Sequence, residues 1–226
     1  MIDMFFTINK DGVLEYVEFD DTAGLEYDED FQDIADYLHK TAVVIPNGVT
    51  SIGDRAFYDK RWLTEVTMPF GVISIGNDAF TDCNYLINVT IPDSVTIIGT
   101  RAFAWCESLT AISIPSGVTR LENRTFYACS SLENIIMADY VSFIGADAFA
   151  YCGSLKSVVL PASVINIRES AFSWCKALTS VTVMNETTAI ANDVFSECSE
   201  ELIIHAKAGS SAEKYATENA LRFQPI

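Results

Sequence analysis

The stretch Ile91-Pro92-Asp93-Ser94-Val95-Thr96-Ile97-Ile98-Gly99-Thr100-Arg101-Ala102-Phe103-Ala104-Trp105-Cys106 decides the fold, because its landmarks recur at a fixed interval on either side. Phe stands at 57, 80, 103, 126, 149, 172 and 195, each 23 residues after the last. Cys follows three residues after the Phe, at 83, 106, 129, 152, 175 and 198, and these are all six cysteines of the chain. Leu63, Leu86, Leu109, Leu132, Leu155 and Leu178 keep the same interval. Pro46, Pro69, Pro92, Pro115 and Pro161 keep it too, with Ala138 and Met184 at the two gaps. Four residue types locked in one register mark a tandem array of about seven units over roughly residues 40–201.

One unit runs from Leu63 through Val66, Met68 and Pro69 to Ile75-Gly76, Ala79-Phe80 and Cys83. Val66 and Met68 are two apart, the strand period, and with Leu63 they carry the inward side chains. Pro69 has no N–H and ends the ladder. Ile75-Gly76 suggests a tight corner, and because Glu122, Arg168 and Ala191 replace that Gly in three units, the corner cannot demand positive φ everywhere. Asn77-Asp78-Ala79-Phe80 reads as a short helical turn with polar N-cap candidates. The spacing thus predicts one short strand, a corner and a helical return per unit. A unit this short cannot bury its apolar face alone, so the coils must stack, with Phe and Leu columns through the core.

The Leu-x-x-Val-x-Ile-Pro…Val-x-x-Ile-Gly-x-x-Ala-Phe-x-x-Cys unit resembles the BspA-type leucine-rich repeat. The resemblance implies an α/β repeat solenoid: a right-handed coil with one short parallel strand per 23-residue unit, capped at both ends. It further implies a non-catalytic scaffold that mediates protein–protein or protein–glycan interaction, with adhesion of bacterial surfaces to host components. The alternatives are a structural spacer without its own ligand and an intracellular interaction module. The Asn ladder of ordinary leucine-rich repeats is missing. Gly48, Gly71, Ser94, Gly117, Tyr140, Ser163 and Glu186 hold its place, so loop hydrogen bonding must differ.

Three segments follow: residues 1–39 as an acidic N-terminal cap, 40–201 as seven repeats, and 202–226 as a C-terminal cap. Residues 1–39 hold twelve acids and one base, Lys10. Phe5–Ile8, Asn9–Gly12 and Val13–Phe19 read as a hairpin around a Gly-containing turn. Phe31, Ile34, Ala35 and Leu38 form one apolar helical stripe behind the acids Asp28, Glu29 and Asp30. An acidic docking surface is the alternative to a cap there. In the last segment, Leu202-Ile203-Ile204 reads as a degenerate strand, Ser210–Leu221 as a helix and Arg222–Ile226 as a closing strand.

Acids outnumber bases 31 to 14 for a net charge of −17, which argues against nucleic acid and anionic membranes as partners. No apolar run reaches the ~18 residues of a membrane span. The first residues lack the basic region of a signal peptide, so the chain as given reads as cytoplasmic or as freed of its export signal. The family resemblance instead implies a cell-surface or secreted location. A monomer is favoured, because nothing in the sequence asks for a partner copy.

Stacked cysteines would lie about 4.8 Å apart, against the ~3.8 Å between Cβ atoms in a disulfide, so a buried column of free thiols is expected. No metal or cofactor site is expected, with weak calcium binding by the N-terminal acids as the alternative left open. There is no Cys-x-x-Cys, the only histidines are His39 and His205, and the Asp20-Asp21 and Asp28-Glu29-Asp30 acids lack the alternation of a calcium loop. No nucleophile elbow, phosphate loop or dinucleotide fingerprint appears, so the chain reads as no enzyme.

Two surfaces remain as binding candidates. Strand alternation exposes Glu65 and Thr67, Asn88 and Thr90, Ala111 and Ser113, Asn134 and Ile136, Ser157 and Val159, and Ser180 and Thr182 on one nearly uncharged face. Ser and Thr also suit exposed strand positions with no partner at all. The position before the Cys holds Trp105, Tyr151 and Trp174. Tyr151 and Trp174 are candidates for a glycan or a protein, against simple packing on neighbouring loops.

Overall fold

The computed structural model describes residues 4–19 and 41–226. The apolar stripe Phe31–Leu38 and the acids Asp20 to Asp30 lie outside the described residues. The repeats stack as a parallel β-solenoid of about eight turns.

Each coil contributes two strands rather than one. The long strands are Thr41–Val44, Leu63–Thr67, Asn88–Thr90, Ala111–Ile114, Asn134–Met137, Ser157–Leu160, Ser180–Val183 and Ile203–Ala206. The short ones run from Ser51–Ile52 through Ser74–Ile75, Ile97–Ile98, Arg120–Leu121, Phe143–Ile144 and Asn166–Ile167 to Ala189–Ile190. Register follows the repeat: Val66 faces Val89, Ile112 faces Ile135, and Val158 faces Val181. The second strand escaped the sequence reading because two residues are too few to show a period.

The return after Gly76 is not helical either. Asp78 and Asp82 both have positive φ, at 53° and 62°, and the equivalent residues of the other coils repeat this. The chain therefore alternates between two kinds of bond. Thr81 N–H and Cys83 N–H reach back three residues, to Asp78 and Phe80 carbonyls at 3.1 and 3.2 Å. Phe80 N–H crosses to the Ala102 carbonyl of the next coil at 2.7 Å. A helix would spend those N–H groups within the coil; here they build a third ladder between coils.

The Ile-Gly corner is tight for a different reason than positive φ. Gly76 and Gly99 have ordinary φ, but a Cβ on Gly99 would lie 2.7 Å from the Asn77 nitrogen and the Gly76 carbonyl carbon. Glycine lets adjacent backbones come this close, whereas the coils with Glu122, Arg168 and Ala191 at the same position must make room for a Cβ.

The expected columns fill the interior. Phe57, Phe80, Phe103, Phe126, Phe149 and Phe172 are fully buried. Their rings stack with centroids 4.8, 5.1, 5.4, 5.3 and 5.1 Å apart, and Phe195 continues the stack at 5.6 Å. All six cysteines are free, with Cys198 partly exposed and the rest buried. Each thiol donates to the carbonyl of the Phe 26 residues earlier, as Cys106 does to Phe80 at 3.2 Å and Cys129 to Phe103 at 3.2 Å. Cysteine is thus more than an apolar filler: it occupies the free lone pair of a buried carbonyl without adding bulk. Burial pushes the Cys152 thiol up to about 12.

An Asn and Asp ladder exists at a position the sequence comparison passed over. Asp54 Oδ1 accepts from Asn77 N–H at 2.7 Å, Asn77 Oδ1 from Thr100 N–H at 2.9 Å, and Asn123 Oδ1 from Ala146 N–H at 2.9 Å. At the expected ladder position, Ser94 and Ser163 hydroxyls instead donate to the Val72 and Val141 carbonyls at 2.7 and 2.6 Å.

At the N-terminal side, Met4–Ile8 and Val13–Phe19 form an antiparallel hairpin. Its turn is closed by Asn9 Oδ1, which accepts from Asp11 and Val13 N–H, and by Gly12 at φ 78°. The inner strand then pairs in parallel with Ser51–Ile52. At the other end, helix Ser211–Glu218 starts at the N-cap Ser210 and buries Ala212, Tyr215 and Ala216. Strand Arg222–Pro225 closes the ladder against Ile203–Ala206.

Candidate functional site

The long-strand face exposes the residues the strand alternation assigned to it, except Ser180 and Thr182, which are half-buried. Glu65, Thr67, Asn88, Thr90, Asn134, Ile136, Ser157 and Val159 are all exposed, while Val66, Val89 and Val158 between them point inward. Most of the face is small and polar. Val44 in the first coil departs from that, and so do coils five to seven. Ile136 is 68% exposed, Val159 59% and Met184 51%, which is a high cost for apolar side chains with no cover.

These three residues surround a hollow of about 660 Å³, whose walls include Asn134, Met137, Ser157 and Pro161. The hollow coincides with a break in strand pairing. Ala111–Ile114 pairs with Asn134–Met137, and Ser157–Leu160 pairs onward with Ser180–Val183, but Asn134–Met137 and Ser157–Leu160 are not paired with each other. Ile135 and Met137 are only half-buried there, although Ile112 and Ile114 one coil earlier are buried; the like break between Asn88–Thr90 and Ala111–Ile114 leaves Val89 and Ile112 buried. Ala138 in the place of the recurrent Pro stands directly after this strand. Charge at the hollow is sparse. Lys156 is held by Glu133 at 2.7 Å on one side, and Asp139 stands exposed on the other. The sequence identified four of the wall residues but not the hollow, since the way neighbouring coils sit against each other leaves no mark in composition.

The aromatic surface is longer than the sequence suggested. Tyr127 stands one position ahead of the Trp105 and Tyr151 column, and it closes the gap between them with ring contacts of 5.1 and 5.4 Å, both edge-on. Tyr151 and Trp174, 43% and 41% exposed, stack at 5.5 Å and 7°. The Lys176 ammonium lies 4.5 Å from the Trp174 ring centre. Stacking along the solenoid axis turns the Tyr151 and Trp174 faces toward neighbours and leaves their edges outward. A sugar packs on an open ring face, whereas a protein side chain can use an edge.

Among the described residues, no three His, Cys, Asp or Glu side chains gather in a way that would hold a metal ion. No helix among them is long and apolar enough to cross a membrane.

The model of the BspA type leucine rich repeat region matches residues 35–152 and 143–221 in six copies. Among solved structures, the leucine-rich repeat protein of T. pallidum (TpLRR) aligns with a TM-score of 0.68 and 28% identity, over 81% of this chain and 85% of that one. A leucine-rich repeat protein from Bacteroides ovatus aligns at 23% identity and a TM-score of 0.45, over 100% of this chain and 75% of that one. A leucine rich cell surface protein from Faecalibacterium prausnitzii aligns at 22% identity and a TM-score of 0.43, over 77% and 81%. A search among curated protein sequences gives no match.

Proposed function

The chain belongs to the BspA-type leucine-rich repeat family, and we propose that it is a non-catalytic scaffold that captures a protein partner on its long-strand face. The hollow framed by Ile136, Val159 and Met184 carries the reading. Three uncovered apolar side chains gather there on an otherwise mostly polar face. Burying such side chains under a partner returns about 25 cal/mol for each Å² removed from water. The flanking polar residues Glu65, Thr67, Asn88 and Thr90 form the rim on the N-terminal side, where contacts tune specificity more than affinity. A protein partner is favoured over a glycan because the Tyr151 and Trp174 ring faces are already covered. Adhesion to host components at a cell surface is the setting the family resemblance supplies.

The test is binding to a panel of immobilised host extracellular-matrix proteins. Wild type is expected to bind at least one of them, and Ile136→Asp/Val159→Asp to lose that binding while its circular dichroism and thermal unfolding stay as in wild type. A double variant that binds as well as wild type removes this face from the account. Retention of nothing by the wild type, on matrix proteins and on bacterial surface proteins alike, favours the spacer reading.

A further inference from the structure

A second site emerges from the aromatic strip, on the turn face and away from the long strands. The strip is built from two interleaved columns. One column holds Tyr58, Thr81, Ala104 and Tyr127 in successive coils; the other holds Asp59, Asp82, Trp105 and Ala128. Tyr127 from the first column packs against Trp105 and Tyr151 from the second, so rings from either column serve as rungs of the same strip. From the third coil to the sixth every coil supplies a rung: Trp105, Tyr127, Tyr151 and Trp174. The first coil supplies Tyr58. The second supplies none, because Thr81 and Asp82 occupy both columns there.

The missing rung is an open slot. A cleft of about 400 Å³ lies between Tyr58 and Trp105, with Thr81 and Asp82 at its base and Arg55, Asp78 and Arg101 along its side. Tyr58 and Trp105 stand two coils apart, roughly 9.6 Å at ~4.8 Å per coil. That leaves width for one flat ring between the Trp105 side and the Tyr58 side, where the Arg55 guanidinium lies over the Tyr58 ring.

The slot's polar groups define what such a ring should carry. Arg55 places its guanidinium 4.2 Å from the Tyr58 ring centre, and it joins no ion pair among the described residues. A cation of this kind favours an electron-rich π face. Arg101 is held by Asp78 at 2.8 and 3.2 Å, and is therefore not free to bind an anion. The Thr81 hydroxyl already donates to the Arg101 carbonyl at 2.6 Å. The Asp82 carboxylate lines the same cleft. Its oxygens can accept from a donor on a ring in the cleft, and partial burial and the nearby charge of Asp59 push the carboxyl above the usual carboxylate range.

We propose that the cleft between Tyr58 and Trp105 binds an electron-rich planar aromatic ring bearing an N–H or O–H on its edge, an indole or a phenol, which takes the place of the missing rung and donates to Asp82. The ring can come from a free small molecule or from a Trp or Tyr side chain of a peptide. The geometry asks only for a flat ring and one donor.

Ligand-detected NMR with indole and p-cresol tests this, with N-acetyltryptophanamide as the peptide-borne ring and cyclohexanol as the non-planar control. The expected result is binding of indole and p-cresol at millimolar concentration or below, and none of cyclohexanol. Thr81→Tyr should weaken both by about tenfold or more, the worth of a stacked ring contact. That variant fills the slot from within, and Tyr58 and Tyr127 show that the column accepts the side chain. Trp105→Ala, which removes the other wall, should weaken binding likewise, while Trp174→Ala, at the far end of the strip, should not. N-acetyltryptophanamide binding as indole does would identify a peptide side chain as occupant; indole binding alone would restrict the slot to free rings. Failure of both rings to bind wild type, or binding unchanged in folded Thr81→Tyr and Trp105→Ala proteins, overturns the proposal.

Discussion

Replacing Phe126 by Ala should remove the middle rung of the aromatic column, and its cost can be worked out from the ring's surroundings. Phe126 is fully buried and stacked on both sides, 5.4 Å from Phe103 and 5.3 Å from Phe149, with planes within 5° and 8°. Burying a phenyl group contributes up to about 3 kcal/mol. Two stacked contacts add about 0.5–1.5 kcal/mol each. The cavity left behind cannot collapse, because the coil above and the coil below are held apart by their ladders. A loss of about 4–5 kcal/mol follows, at the upper end of Phe→Ala core substitutions. Phe195→Ala should cost about 1 kcal/mol less. Its ring meets Phe172 at 5.6 Å and 21°, meets Tyr215 only edge-on, and is 4% exposed. Guanidinium unfolding followed by circular dichroism measures both. The slope should also fall for Phe126→Ala, because a weakened centre lets the two halves of a nearest-neighbour array unfold separately. A cost below about 2 kcal/mol for Phe126→Ala, or one equal to that of Phe195→Ala, would refute the reasoning.

Other expectations concern the thiols and the corners. Burial raises the Cys152 pKa from 9.0 to about 12 in the fold, so its contribution to stability is complete below pH 9 and is lost as pH rises from about 9 toward 12. The loss is about 1.4 kcal/mol per pH unit for each thiol that ionises only on unfolding, which alkaline denaturation midpoints of wild type and Cys152→Ala will register. A thiol reagent on the native protein should label Cys198 first, since it is the partly exposed member and its pKa is lowered by a hydrogen bond shared with Cys175 and by the nearby Lys176. All six should label after denaturation; fewer would mean a bridge. Gly99→Ala should cost about 1–3 kcal/mol despite an ordinary φ, because its Cβ would press on the backbone of the preceding coil. Gly153→Ala, whose Cβ would meet nothing closer than 3.9 Å, should be neutral or slightly stabilising in thermal unfolding.

The sequence made the coil legible because its large residues are locked to one register. Phe57 to Phe195 and Cys83 to Cys198 recur without a slip, and no other fold stacks every twenty-third residue so simply. What it hid were features that no residue type marks. Ser74-Ile75 is too short to show alternation. Positive φ at Asp78, Arg101 and Trp105 is imposed by the inter-coil ladder, since isolated residues of these kinds prefer negative φ. The glycine of the Ile-Gly corner was visible, but its reason was close contact between backbones. The candidate face was legible wherever strand period two applied, as at Ile136 and Val159. Tyr127 was missed because it stands one place out of the Trp105 column, and the hollow was missed because it depends on how neighbouring coils sit against each other, which no residue type marks.

A photo-crosslinking amino acid placed in turn at Val159 and at Trp174 tests the binding claim most directly, with the matrix-protein panel as partner. The two positions sit on different faces of the same coils, so one scaffold serves as its own control. The account predicts a crosslinked adduct from position 159 that disappears on adding Ile136→Asp. Adducts from position 174 alone, or adducts from 159 that survive that substitution, would contradict it.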